Sequence, residues 1–140
     1  MAKQRELQFL LDRSEKFCQT AEMQIQRGYY DLAAFSLEQC LQLYLKAALL
    51  QLGVDYPKIH GVRELLSIIY ELTGGEEIDE AAKRYSVELG ALEDAYISSR
   101  YIPRAYTREE AERLKNVVGE IKRVVERALA KAGQKESGGP

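Results

Sequence analysis

Apolar residues recur every three or four positions through five stretches of this chain, and glycine or proline stands between those stretches. This spacing places the apolar side chains on one face of an α-helix, whereas a half-buried strand requires strict alternation. No segment shows convincing alternation with hairpin turns beside it. The pattern therefore predicts an all-α protein.

The predicted helices run over residues 3–26, 30–52, 61–73, 78–98 and 108–132. Gly28 and Gly53 suit left-handed caps after the first two helices. Gly90 lies inside the fourth, where it either permits a close helix crossing or marks a slight break. Short connections favour antiparallel neighbours and predict an up-down bundle of four main helices plus a shorter fifth. We expect one helical domain over 1–132 and a flexible polar tail over 133–140.

Composition restricts the classes of partner. The chain has 140 residues and a formal net charge of -2, whereas a protein that binds duplex DNA is ordinarily basic overall. The N-terminal residues mix charged and apolar side chains, unlike a signal peptide. No apolar run approaches the ~20 residues of a membrane span. We therefore expect a cytoplasmic protein with no membrane partner, in which any nucleic-acid contact comes from a local basic patch.

Residue types that often carry chemistry are sparse. Cys18 and Cys40 fit neither a CxxC motif nor a metal spacing, and each falls on the apolar face of a predicted helix. Buried reduced thiols are the expected state there. The single histidine, His60, is interpreted as a cap or local hydrogen-bonding group at the start of the third helix. We predict no conventional catalytic triad, no metal site and no cofactor.

One short connector differs from the rest of the chain. Residues 98–110, SSRYIPRAYTREE, carry three arginines and two tyrosines with no acid before Glu109. Arginine binds phosphate in two-pronged fashion, and tyrosine stacks on bases. The alternative is a solvated loop whose arginines pair with acids such as Glu93, Asp94 or Glu109. The candidate ligand-binding residues here are Arg100, Tyr101, Arg104 and Tyr106.

Two further features bear on a site. Thr107 and Glu110 have the spacing of a capping box, so the last predicted helix begins directly behind the arginines, where free N–H groups favour an anion. Lys46 stands within the most apolar helix, in LQLYLKAALLQL. Its stem either snorkels to the surface or faces a groove or a subunit interface.

Three segments in order resemble the HEPN domain, a family of small helical bundles found in prokaryotes and higher eukaryotes. They are DLAAFSLEQCLQLYLKAALLQLG, KIHGVRELL and LEDAYISSRYIPRAY. The resemblance implies a homodimer with a cleft between its copies, binding of a nucleotide or RNA, and a minimal nucleotidyltransferase as partner in a toxin–antitoxin-like pair. It also implies that Lys46 and His60 match positions often occupied by lysine and histidine in the family, and both are further candidate nucleotide- or RNA-binding residues that would line the cleft.

A large branch of that family consists of metal-independent ribonucleases, whose site is an arginine followed within a few residues by a histidine. Arg100 matches that arginine and Tyr101 the tyrosine that often follows it, but Tyr106 stands where the histidine is expected. Tyrosine is a poor base near neutrality. The resemblance therefore implies a non-catalytic nucleotide- or RNA-binding protein. The alternatives are a degenerate ribonuclease using Arg100 and Tyr106, or a pure interaction module.

Overall fold

The computed structural model is built from six helices. It describes residues 2–58, 61–101 and 104–137, and the side chains described are those of 2–58, 61–97 and 104–134. The helices are α1 (Ala2–Gln26), α2 (Tyr30–Gln51), α3 (Val62–Thr73), α4 (Glu76–Arg84), α5 (Ser86–Tyr101) and α6 (Arg108–Ser137). No strand occurs in these ranges. The predicted all-α helical bundle is confirmed.

Helix α2 forms the centre of the bundle and packs against α1, α3, α5 and α6. Because neighbours surround it, α2 buries polar side chains as well as leucines. Its fully buried leucines are Leu37, Leu41, Leu45 and Leu49. Its buried polar side chains are Ser36, Glu38, Gln42 and Lys46. A helix in this position must satisfy its polar groups internally, since water does not reach them.

Side-chain contacts define the helix directions. Glu22 of α1 pairs with Lys115 of α6, and Glu15, seven residues earlier on α1, pairs with Lys122, seven residues later on α6. The two helices are therefore antiparallel. The ring of Phe35 on α2 stacks on that of Tyr96 near the end of α5, with centroids 6.4 Å apart. One end of the bundle therefore gathers the start of α2, the end of α5, the start of α6 and the connector between α5 and α6.

The fourth predicted helix is in fact two helices, α4 and α5, which meet at Tyr85. The Tyr85 N–H still donates to the Ala81 carbonyl, and the Tyr85 carbonyl accepts from Leu89, both at 2.9 Å. These two hydrogen bonds continue the helical pattern across the break. Gly90 lies inside α5 rather than at the break, and a Cβ on it would stand 3.6 Å from Nη1 of Arg63.

Other helix ends follow the sequence closely. Gly28 and Gly53 have φ of 78° and 83°, the left-handed caps that the sequence predicts. Helix α6 ends at Ser137 rather than at residue 132, and residues 138–140 lie outside the described ranges. Among the described residues, every helix is too short or too polar to cross a bilayer.

The prediction of two free thiols is wrong. Cys18 of α1 and Cys40 of α2 form a disulfide, with their Cα atoms 5.3 Å apart. Each cysteine does lie on the apolar face of its helix, but α1 and α2 are adjacent and bring those faces together at a separation typical of disulfides. The Ser14 hydroxyl donates to the Cys40 carbonyl at 2.7 Å beside the bridge. Helical periodicity places each cysteine on a face without indicating which residue lies opposite.

Candidate functional site

The part of the connector that the structure describes brings Arg104 and Tyr106 together. The Arg104 guanidinium lies over the Tyr106 ring, 4.3 Å from its centroid. Its Nη1 also donates to the Tyr106 hydroxyl at 3.3 Å. An arginine over an aromatic face makes a cation–π contact. The contact places a guanidinium and an aromatic ring side by side at this end of the bundle.

The Glu110 carboxylate contacts Arg104 through one oxygen and the backbone at the start of α6 through the other. Its Oε2 accepts from Arg104 Nη2 at 3.3 Å, while its Oε1 accepts from the Thr107 backbone N–H at 3.0 Å. In return, the Thr107 hydroxyl accepts from the Glu110 N–H at 3.0 Å. The predicted capping box is therefore present. The Thr107 backbone N–H, followed by the Thr107 hydroxyl and Arg104, outweighs slight burial and lowers the pKa of Glu110 below its ordinary value.

Among the described side chains, the connector arginines do pair with acids, as the solvated-loop alternative expects, although with other acids than those it names. Arg104 pairs with Glu110, and Arg108 approaches Glu112 at 3.8 Å. Glu93 pairs instead with Arg63 of α3. A shallow groove of about 560 Å³ continues from the start of α6, lined by Arg108, Glu109, Glu112, Arg113 and Asn116. The groove lies on α6, and neither Arg104 nor Tyr106 lines it.

Three candidate residues are only partly located. Arg100 and Tyr101 form the end of α5, but their side chains lie outside the described set, as does the whole of His60. The backbone places Arg100 one turn beyond Tyr96, which stacks on Phe35 at the connector end of the bundle. Their roles in binding therefore stay predictions.

Lys46 belongs to a different region. Ala33 of α2 shares a small apolar cluster with Ala111 of α6, whereas Lys46 lies about 20 Å further along α2 at 1.5 Å per residue. Within one chain, Lys46 and Tyr106 do not share a pocket. The Lys46 side chain does not snorkel: only 7% of the residue is exposed, and its Nζ lies 5.3 Å from the Tyr56 ring centroid.

Lys46 belongs to a buried polar row on one face of α2. Its Nζ donates to Gln42 Oε1 at 3.1 Å, and Gln42 Nε2 donates to Glu38 Oε2 at 2.8 Å. Gln39 Nε2 donates to the other carboxylate oxygen of Glu38 at 2.7 Å. Burial raises the pKa of Glu38 to about 7 despite these donors, and burial also lowers the pKa of Lys46.

Sequence reasoning missed Glu38 and the residues around Glu93. Glu38 precedes Gln42 by four positions and Lys46 by eight, so the three side chains lie along one face of α2. The strong leucine pattern of the same helix obscures this polar spacing in the sequence. Glu93 on α5 adds to the raised pKa of Glu38 and pairs with Arg63. A Cβ on Gly61 would stand 2.7 Å from Glu93 Oε2, so a larger residue there would require the flexible Glu93 carboxylate to move.

No group of three or more potential metal ligands occurs among the residues that the structure describes. No curated protein matches this chain at a significant level. The family model described as the HEPN domain matches residues 7–128, nearly the whole helical bundle. On that match, and on a fold of packed antiparallel helices, the chain belongs to the HEPN domain family.

Proposed function

We propose that this HEPN-domain protein binds a nucleotide or RNA at the connector between α5 and α6, without catalysing a reaction on it. Membership of the family supports a nucleotide- or RNA-related function. The observation that carries the proposal is the Arg104 guanidinium lying 4.3 Å from the Tyr106 ring centroid just before the start of α6. Arginine contacts phosphate and an aromatic ring stacks on a base, so the two together fit both parts of a nucleotide.

We propose that Arg100 and Tyr101, at the end of α5, also contribute to this site. Lys46 belongs to this site at most through a second copy of the chain, because it lies about 20 Å along α2 from the connector end of the bundle. A role for His60 stays a proposal. We propose that the protein is a homodimer and that its partner is a minimal nucleotidyltransferase in a toxin–antitoxin-like pair. The family resemblance supports both ideas.

Light scattering on the purified protein should give twice the mass of one chain. The adjacent gene should encode a nucleotidyltransferase. When the two proteins are co-expressed, that enzyme should co-purify with the HEPN-domain protein.

Binding is tested by fluorescence polarisation with a labelled ten-nucleotide RNA, with unlabelled ATP as competitor. Arg104→Gln should weaken RNA binding by about tenfold, the loss of one charge-assisted contact. Arg5→Gln is the matched control, because the start of α1 lies at the opposite end of the bundle. Tyr106→Ala should weaken binding by a similar factor through lost stacking, whereas Tyr106→Phe keeps the ring. Equal affinities for all variants would contradict binding at the connector.

The non-catalytic part is tested separately with total RNA. Intact RNA after long incubation with the wild-type protein is the expected result. Cleavage that disappears in Arg100→Ala would identify a ribonuclease instead. A protein that binds neither RNA nor ATP, yet captures the partner, would favour a pure interaction module.

A further inference from the structure

Glu110 holds two positions at once. One carboxylate oxygen completes the capping box on Thr107, and the other faces Arg104 Nη2 at 3.3 Å. The second contact places a negative charge where a phosphate oxygen would approach the guanidinium. An arginine presents five N–H donors in a fixed fork. Arg104 uses this fork to donate to the Tyr106 hydroxyl and to the Glu110 carboxylate.

The Arg104–Glu110 contact is weak enough to be exchanged. Both side chains are 41% exposed, and exposed ion pairs of this kind contribute little net stability because water solvates each partner when they separate. A phosphate group carries more charge and more acceptor oxygens than a carboxylate. A ligand phosphate is therefore a suitable replacement for Glu110 at Arg104.

We infer that Glu110 is an internal competitor for phosphate at Arg104, and that its charge limits the affinity of the connector for phosphate-bearing ligands. This inference rests on the proposed function. The carboxylate remains charged across the neutral range, because its pKa lies below the ordinary value. The competition is therefore present whenever the ligand is offered, and a ligand binds by displacing Glu110 from the guanidinium.

The capping and competing contacts of Glu110 are separable by substitution. A glutamine at this position of a capping box still offers a side-chain oxygen to the backbone N–H. Glu110→Gln thus retains the cap on Thr107 and removes the charge that faces Arg104. Glu109→Gln is the matched control, because Glu109 is an exposed acid in the same first turn and makes no ion pair within the described part of the chain.

The test measures dissociation constants for the labelled ten-nucleotide RNA and for ATP at one fixed salt concentration. Glu110→Gln should bind both probes on the order of three- to tenfold more tightly than wild type, the range set by an exposed unit charge a few ångströms away. Glu109→Gln should change affinity by less than about twofold. In the Arg104→Gln background, Glu110→Gln should lose most of its effect, because the guanidinium for which the Glu110 carboxylate and the phosphate compete is then absent.

The outcomes separate the two proposals. If wild type binds and Glu110→Gln binds equally or more weakly, the competition is overturned while binding at the connector stands. If Glu109→Gln tightens binding as much as Glu110→Gln, the effect is general charge and the inference fails. If neither wild type nor Glu110→Gln binds either probe, both proposals fail. Unfolding temperatures of all variants verify that the helix cap is intact.

Discussion

Two carboxylates of this bundle respond to their surroundings in opposite directions. Glu110, on the exposed connector, has its pKa lowered by the backbone N–H of Thr107 and by Arg104. Glu38, inside the bundle, has its pKa raised to about 7 by burial, although two amide groups donate to it. Where water is present, a few donors suffice to favour the charged form. Where it is absent, the same number of donors does not offset the cost of removing the charge from water.

The two regions are therefore suited to different purposes. The Arg104–Glu110 contact is half exposed and exchangeable, as a surface that binds and releases a charged ligand requires. The row from Lys46 through Gln42 to Glu38 is enclosed by neighbouring helices and internally hydrogen-bonded. Breaking one member of such a row leaves a buried polar group without its partner. We expect the row to affect stability and the connector to affect binding.

The largest expected effect concerns the disulfide that anchors the buried region. Cys40 lies on α2 between Glu38 and Gln42, and its bridge to Cys18 encloses a sequence separation of 22 residues. Reduction should lower the free energy of unfolding by about 3 kcal/mol, the chain-entropy value for a loop of this size. Urea unfolding with and without reductant measures it. The double variant Cys18→Ala/Cys40→Ala should be insensitive to reductant; a wild type equally insensitive would mean that the bridge adds no stability.

The next effect follows from the raised pKa of Glu38. Between about pH 4.5 and pH 7 the folded state binds more protons at this site than the unfolded state does. Stability from Glu38 is therefore full below that range and lost as pH rises through it. Glu38→Gln should be more stable than wild type above pH 7 by on the order of 2 kcal/mol, and nearly equal to it near pH 4.5. Thermal unfolding across this range measures the difference, and Glu109→Gln serves as the exposed control. A pH-independent difference would show that Glu38 is not protonated on folding.

A smaller effect is expected at the helix cap of the connector. Thr107→Ala removes the hydroxyl that accepts from the Glu110 N–H and should cost about 1 kcal/mol. Thr107→Ser keeps that oxygen and should remain close to wild type. Denaturant unfolding compares the three proteins. Equal losses in the alanine and serine variants would indicate that the methyl group, rather than the cap, is the important part of Thr107.

The smallest effect sharpens the contrast between the regions. Arg104→Gln should change the free energy of unfolding by about 0.5 kcal/mol or less, because its ion pair with Glu110 is exposed. The same protein should show the large loss of RNA affinity proposed above. Lys46→Gln should show the reverse: destabilisation, with RNA affinity retained. A single series of unfolding and binding measurements on these two variants would show whether stability and binding are divided between the regions as expected.

Much of the candidate site was predictable from local spacing. Thr107 and Glu110 predict the capping box, and arginine and tyrosine two positions apart predict that Arg104 and Tyr106 share a surface. The ion partner of Arg104 was not predicted, because the turn before α6 selects Glu110 from several nearby acids. Glu38 was also not recognised, since its role depends on the enclosure of α2 by other helices.

By itself, the amino-acid sequence determined the helical class, the glycine caps at Gly28 and Gly53 and the start of α6, because periodicity and capping act within a few residues along the chain. Tertiary structure decided the division at Tyr85, the pairing of Cys18 with Cys40 and the burial of the polar row on α2. Each of these depends on which helix lies opposite. That choice is made by the packing of whole apolar faces, which no local spacing contains.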